Sequence, residues 1–372
     1  MTKDIKKYFA DYYDRFKGYT PGEQPGTGWL KLNTNENPYD PPQSVIDDIK
    51  AGLEDLRKYP DKDTRELKKQ LTFNVRVDKS SALKMDNIVA GCGSDEMLDI
   101  IFKTFVNPED RVVFFEPSYG MYKVLCNMYR ATPVTIPLNE DFTIPEEKAT
   151  STLGKLMIIC SPNNPNGARV PNEIISKICN AFDGIVVVDE AYIDFADGSA
   201  IGLLKEHPNL IILRTFSKSY SLAALRVGYI ITLTRDIILA LRKVKLPFNV
   251  NLPAQVAALS ALKHQDEFDE IIEKIKSERE RLAAKINAIE HLSVLPSDAN
   301  FILVKINVGA EKRNQKVTQK LFWELKKKKI LVRWYMTRRL YAYLRVTIGK
   351  PEENDLLADA MEECLNIALQ AA

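Results

Sequence analysis

Ile185-Val186-Val187-Val188-Asp189-Glu190-Ala191-Tyr192 sets an unbroken β-branched run directly against an acid, a small residue and a phenol. A run of this kind with no polar alternation suits a strand buried on both faces, as in a parallel sheet covered by helices. The same texture recurs on either side of it. Ile88-Val89-Ala90, Arg111-Val112-Val113-Phe114-Phe115, Leu156-Met157-Ile158-Ile159, Leu210-Ile211-Ile212-Leu213 and Val227-Gly228-Tyr229-Ile230-Ile231 alternate with longer helical periods, such as the one carrying Met97, Ile100, Ile101 and Phe105. The fold class is therefore α/β, with a mainly parallel sheet sandwiched by helices.

Ahead of this region, residues 1–30 read as an arm. A charged amphipathic start leads into Gly18-Tyr19-Thr20-Pro21-Gly22 and Pro25-Gly26-Thr27-Gly28, too rich in Gly and Pro for a regular element. Residues 31–255 form the large domain. Beyond Pro247 and Pro253 the texture changes to a strongly helical 254–290, two strand candidates at Phe301-Ile302-Leu303-Val304 and Ile330-Leu331-Val332, then Tyr343-Leu344-Arg345-Val346-Thr347-Ile348 and a closing helix. Residues 256–372 make a smaller α+β domain.

Composition narrows the function classes. Lys plus Arg total 52 against 50 Asp plus Glu, a net charge of +2, so no global field recruits nucleic acid or an anionic membrane. The run Lys326–Lys329 reads as the solvated face of a helix. Five cysteines without a Cys-x-x-Cys pair, and three scattered histidines, argue against a disulfide framework and against a zinc site; no metal is expected. No stretch approaches the ~18 apolar residues of a membrane span and no apolar leader follows Met1, which points to a soluble, cytoplasmic protein.

In a doubly wound sheet, ligands sit at the carboxyl ends of the strands. The residues following each apolar run are Asp189 to Tyr192, Ser161-Pro162-Asn163-Asn164-Pro165-Asn166-Gly167, Arg214-Thr215-Phe216-Ser217-Lys218, and Gly91-Cys92-Gly93-Ser94-Asp95-Glu96. Gly-x-Gly after a strand could open a dinucleotide site, but Glu96 replaces the third glycine of that fingerprint. The set as a whole describes another chemistry. A lysine amine can join a carbonyl cofactor as a Schiff base. Pyridoxal phosphate held in this way needs an acid at its ring nitrogen, donors at its ring hydroxyl and an anion site for its phosphate. Asp189 suits the first need, and Tyr192 with Asn164 the second. Ser94 and Asp95 at a helix start suit the third, with Thr215, Ser217 and Arg226 around the lysine, since a guanidinium fork matches two phosphate oxygens at once.

The segment Thr215-Phe216-Ser217-Lys218-Ser219-Tyr220-Ser221-Leu222-Ala223-Ala224-Leu225-Arg226-Val227-Gly228-Tyr229 resembles the lysine segment of fold-type I pyridoxal-phosphate aminotransferases, and more closely their histidinol-phosphate branch. The resemblance spans almost the whole chain. It includes Leu32-Asn33-Thr34-Asn35-Glu36-Asn37-Pro38-Tyr39, Lys58-Tyr59-Pro60-Asp61, Glu116-Pro117-Ser118-Tyr119 and Ala299-Asn300-Phe301. It implies Lys218 as the Schiff-base lysine and proton shuttle, Tyr119 stacked on the cofactor ring, and Tyr59 reaching the cofactor phosphate of a neighbouring subunit in a homodimer with shared active sites. For small-molecule substrates it implies Arg345 as the carboxylate-binding arginine, Arg333 as a second arginine of the branch, and Tyr19 as an arm tyrosine on the substrate phosphate. The implied reaction is transamination between histidinol phosphate and 2-oxoglutarate. An aromatic or other amino-acid aminotransferase and a phosphothreonine decarboxylase share the scaffold.

Three departures from the family pattern stand out. Asn166 occupies the usual threonine position after Asn164-Pro165, which should leave the Asn164 contact intact. Ser221 and Ala224 replace glycines, adding two small side chains that tighten the turn while Arg226 keeps its spacing from Lys218. The interval from Arg333 to Arg345, which includes Arg338 and Arg339, is aromatic and basic rather than rich in Gly and Pro.

Overall fold

The computed structural model describes residues 4–10, 13, 18–75 and 83–371. The rest of the expected arm, residues 1–3, 11–12 and 14–17, lies outside them. In chain order the strands are β1 (Leu30–Lys31), β2 (Ile88–Gly91), β3 (Arg111–Glu116), β4 (Thr132–Pro137), β5 (Leu156–Cys160), β6 (Ile185–Asp189), β7 (Leu210–Thr215) and β8 (Gly228–Ile231). They continue as β9 (Leu292–Val294), β10 (Phe301–Ile306), β11 (Ile330–Leu331), β12 (Arg333–Trp334) and β13 (Tyr343–Thr347).

Seven of these form one sheet in the order β2-β8-β7-β6-β5-β3-β4. Every neighbouring pair is parallel except those of β8, which runs antiparallel to both β2 and β7. The apolar runs seen in the sequence are its interior: β2 and β5 are buried along their whole length, and β6 is open only at Ile185. Full burial of a Val, Ile or Leu side chain stabilises by roughly 1.5–3 kcal/mol, so strands of this composition hold their places in the middle of the sheet. Burial says nothing about direction, which is why the reversed β8 looks like its parallel neighbours in sequence. The edge strand β4 was not expected. It contains Pro133 and Pro137, is exposed at most positions, and shows only the weak signal of a one-sided strand.

A second, antiparallel sheet has the order β12-β13-β10-β9. The helical region expected as one stretch over 254–290 is two helices, Leu252–Lys263 and Gln265–Asn287, separated at His264, whose ψ of 34° departs from helical geometry. The run of four lysines lies largely on ion pairs: Lys326 with Glu23, Lys327 with Glu324 and Lys328 with Glu363. Residues 30–35 run beside β11 and β13. β1 pairs in parallel with β11, and Thr347 N donates to Leu32 O at 2.9 Å. Asn33, Thr34 and Asn35 are thereby carried to the rim of the large sheet. No helix of the described residues is long and apolar enough to cross a membrane.

Candidate active site

The carboxyl ends of β2, β3, β5, β6 and β7 open on a cavity of about 830 Å³, within the ~300–1,000 Å³ typical of small-ligand sites. Lys218 and Asp189 both line it. So do Ser94, Asp95, Tyr119, Asn164, Tyr192, Thr215, Ser217 and Arg226, together with Tyr19, Arg333 and Arg345. Of the residues singled out in the sequence, Tyr59 alone stands outside. It is 82 % exposed and stacks on Phe248 with ring centroids 4.6 Å apart.

The anion end of the cavity depends on β8 running backwards. Its leading residue Gly228 pairs with Gly91 of β2 and with Thr215 of β7, so Arg226, just before it, arrives at the same rim as the strand ends. The helix Gly93–Phe105 starts there, presenting unpaired backbone N–H groups and the positive end of its dipole. Two glycines make the approach possible. A Cβ on Gly228 would lie 2.6 Å from Ser94 N, and one on Gly93, at φ +79°, would lie 2.8 Å from the Arg226 guanidinium. Arg226 takes φ +55°, a left-handed conformation that costs a non-glycine residue roughly 1–2 kcal/mol. Its Nη2 donates to Asp95 Oδ2 at 3.1 Å and its Nη1 to Ser217 Oγ at 3.5 Å. Thr215 Oγ1 donates to Ser217 Oγ at 3.0 Å and accepts from Ser217 N. The turn in between carries its own strain. Ser221, where the family pattern has glycine, sits at φ +53° with its buried hydroxyl unpartnered. Glu96, which ruled out the dinucleotide fingerprint, accepts from Cys92 N and from Asn249 Nδ2, bracing the helix start.

Asp189 ends β6 and is 4 % exposed. Tyr122 OH donates to its Oδ2 at 2.7 Å and Ala191 N to its Oδ1 at 3.2 Å. Among the described residues no cation pairs with it, and burial pushes its carboxyl up to about 6. A cation inside the cavity is what this acid lacks. Lys218 Nζ donates to Thr34 O at 3.3 Å and lies 5.7 Å from the centre of the Tyr192 ring. Burial, reinforced by Arg345, brings its amine down to about 8.

Tyr192 OH accepts from Asn35 Nδ2 at 3.0 Å and from Asn164 Nδ2 at 3.4 Å, which leaves its own proton free to donate into the cavity. The Asn164 amide is oriented from its other side, because Arg345 Nη1 donates to its Oδ1 at 2.6 Å. Asn166 bonds to Asn163 instead, so the altered neighbour leaves the Asn164 contacts in place. Tyr119 OH donates to Asp95 Oδ1 at 3.0 Å, and Tyr19 meets the Tyr119 ring edge-on at 5.6 Å.

Across the cavity stand Arg333 and Arg345, neither of which pairs with an acid among the described residues. Buried Arg345 binds Asn33 O and Asn164 and packs over Phe301, with its Nε unpartnered. Arg333 donates to Thr20 O and Pro21 O, next in the chain to Tyr19. Arg339 also lines the cavity and is bound to the carbonyls of Leu138 and Asn139, while exposed Arg338 turns away to Glu311. Sequence reading did not single out Tyr122, Thr34 or Asn35 as site residues. Tyr122 lies one helical turn beyond Tyr119, a spacing that could have drawn attention to it; the other two are carried in by the β1–β11 pairing.

A family model described as aminotransferase class I and II matches residues 27–361. The chain belongs to the class I and II aminotransferases. Within the family, this aminotransferase is 37 % identical over 93 % of its length to the histidinol-phosphate aminotransferase of Microcystis aeruginosa, covering 95 % of that protein. It is 35 % identical over 96 % of its length to the one of Crocosphaera subtropica, covering 98 % of it. Among solved structures it resembles the histidinol-phosphate aminotransferase of Sinorhizobium meliloti, which was crystallised with pyridoxal 5'-phosphate. The TM-score there is 0.81 at 26 % identity, with 90 % of each chain covered. The aminotransferase site fits that group on its own chemistry. A buried acid that pairs with no cation among the described residues faces the cavity that holds the Lys218 amine, and the start of the helix Gly93–Phe105 adjoins the Arg226 guanidinium, a setting suited to an anion.

Proposed function

We propose that this enzyme transfers the amino group of L-histidinol phosphate to 2-oxoglutarate with pyridoxal 5'-phosphate, yielding imidazole-acetol phosphate and L-glutamate in histidine biosynthesis. The observation that carries the reading is that Lys218 and Asp189 open on one cavity that also holds two arginines, 333 and 345, which pair with no acid among the described residues. When bound, pyridoxal phosphate supplies a carbonyl that takes up the amino group and a ring that accepts the electron pair released when the adjacent C–H bond breaks.

The chain's own residues supply the rest. Asp189 would hold the cationic ring nitrogen, Tyr192 and Asn164 would bond the ring hydroxyl, and Tyr119 would stack on the ring. Backbone and side-chain donors at Ser94 and Asp95, with Thr215, Ser217 and Arg226, would hold the phosphate. Lys218 Nζ moves the proton at the reacting carbon, and its lowered basicity matters for that. With the amine brought down to about 8, roughly a tenth of it is neutral at pH 7, against about one part in three thousand for an ordinary lysine. Arg333 with Tyr19 binds the substrate phosphate in one half-reaction, and Arg345 binds carboxylates in the other, where a guanidinium fork matches two oxygens.

The reading extends to organisation. Residues 1–30 act as an arm, 31–255 as the cofactor domain and 256–372 as the small domain. The chain works as a cytoplasmic homodimer, in which exposed Tyr59, stacked on Phe248, reaches the partner's phosphate site. A Lys218→Ala variant should lose both the visible absorption of the bound cofactor and turnover of histidinol phosphate. Turnover at the unsubstituted rate would refute the assignment.

A further inference from the structure

We propose that Tyr122 is a positioning residue that keeps Asp189 ionised and fixes the orientation of its carboxylate toward the cavity. The inference rests on the reading of Asp189 as the acid facing the cofactor ring nitrogen.

Tyr122 projects from the helix Met121–Met128 and is fully buried. Its hydroxyl donates to Asp189 Oδ2 at 2.7 Å, while the other carboxylate oxygen has only the longer bond from Ala191 N. Lys218, Arg226 and Arg345 line the same cavity, but among the described residues none of them bonds to Asp189, and the other groups beside it come from three elements. Cys160 stands beside it in register on β5, but directs its thiol proton to Pro162 O at 3.4 Å. Asp95, from the helix Gly93–Phe105, and Glu190, next along the chain, are both acids and oppose ionisation. Tyr122 therefore supplies the one side-chain donor to Asp189 among the described residues. Burial and the neighbouring carboxylate hold its phenol well above 10, so it remains a donor at every working pH.

The ring itself is held independently of the hydroxyl. It packs edge-on against Phe114 at 6.1 Å and Tyr119 at 5.6 Å. Tyr122→Phe accordingly removes the donor and keeps the packing. A hydrogen bond to a buried charged group is worth enough to move the ionisation of that group by about one pH unit. Losing it should leave more of Asp189 protonated at a given pH, and so unable to hold a cation.

The test compares the unsubstituted holoenzyme with Tyr122→Phe, reading visible absorption of the bound cofactor and kcat/KM from pH 5 to 9. The acid-side midpoint of both should rise by about one pH unit in the variant, with the plateau above it nearly preserved. An unmoved midpoint with a uniform loss of rate would overturn the inference. Urea unfolding of the cofactor-free chain gives a second readout. Tyr122→Phe should steepen the loss of stability between pH 4 and 8 in the Asp189 background and not in an Asp189→Asn background. If the single variant folds at pH 5 but not at pH 8 while the double variant folds at both, the inference also stands. An equal, pH-independent loss in both backgrounds overturns it. Failure of the unsubstituted protein to develop a visible band with pyridoxal phosphate would instead defeat the functional reading itself.

Discussion

Replacing Asp189 by asparagine should make the cofactor-free protein more stable and the enzyme worse. The carboxyl is raised from its ordinary 3.8 to about 6 by burial at the end of β6. A shift of that size corresponds to about 3 kcal/mol between the two protonation states. Because the folded value lies above the unfolded one, the favourable contribution is complete below pH ~4 and is lost as pH rises through ~6. The cofactor-free chain should therefore lose about 3 kcal/mol between pH 4 and 7 that Asp189→Asn keeps, since the amide does not titrate and its oxygen still accepts from Tyr122. A cation at the cavity end of β6 reverses the balance by stabilising the ionised form. Cofactor binding at pH 7.5 should consequently weaken about a hundredfold in the variant. Urea unfolding at pH values from 4 to 8, with and without pyridoxal phosphate, measures both effects. Parallel pH curves for the two cofactor-free proteins, or equal cofactor affinity, would refute the reasoning.

Two further outcomes follow from the same geometry. Arg333→Ala should lower kcat/KM for histidinol phosphate by about ten- to a hundredfold, the worth of one charge-assisted hydrogen-bonding partner, and affect glutamate much less; steady-state rates with the two donors check this, and equal losses count against it. Gly228→Ala would force a Cβ to within 2.6 Å of Ser94 N, so thermal unfolding should register a loss of about 1–3 kcal/mol, and equilibrium dialysis weaker binding of the cofactor.

How far the sequence could be read depended on whether the information was local. β6 ending in Asp189 and β7 followed shortly by Lys218 are contiguous stretches, and a run of Val, Ile and Leu has few places to go other than a covered sheet. Once those strands are parallel neighbours, their following residues must share a rim. β4 escaped notice because a proline-containing edge strand buries too little to leave a pattern.

From the linear order of residues alone came the α/β class, the strand ends that carry chemistry, and the lysine, acid, amide and arginine set, since each depends on what adjoins what along the chain. Tertiary structure alone decided the reversal of β8 that brings Arg226 to the helix start, the β1–β11 pairing that sets Thr34 beside Lys218, and the reach of Tyr122 to Asp189. Those contacts join residues from separate elements, and the burial that shifts Lys218 and Asp189 toward one another in basicity exists only after the layers have closed over them.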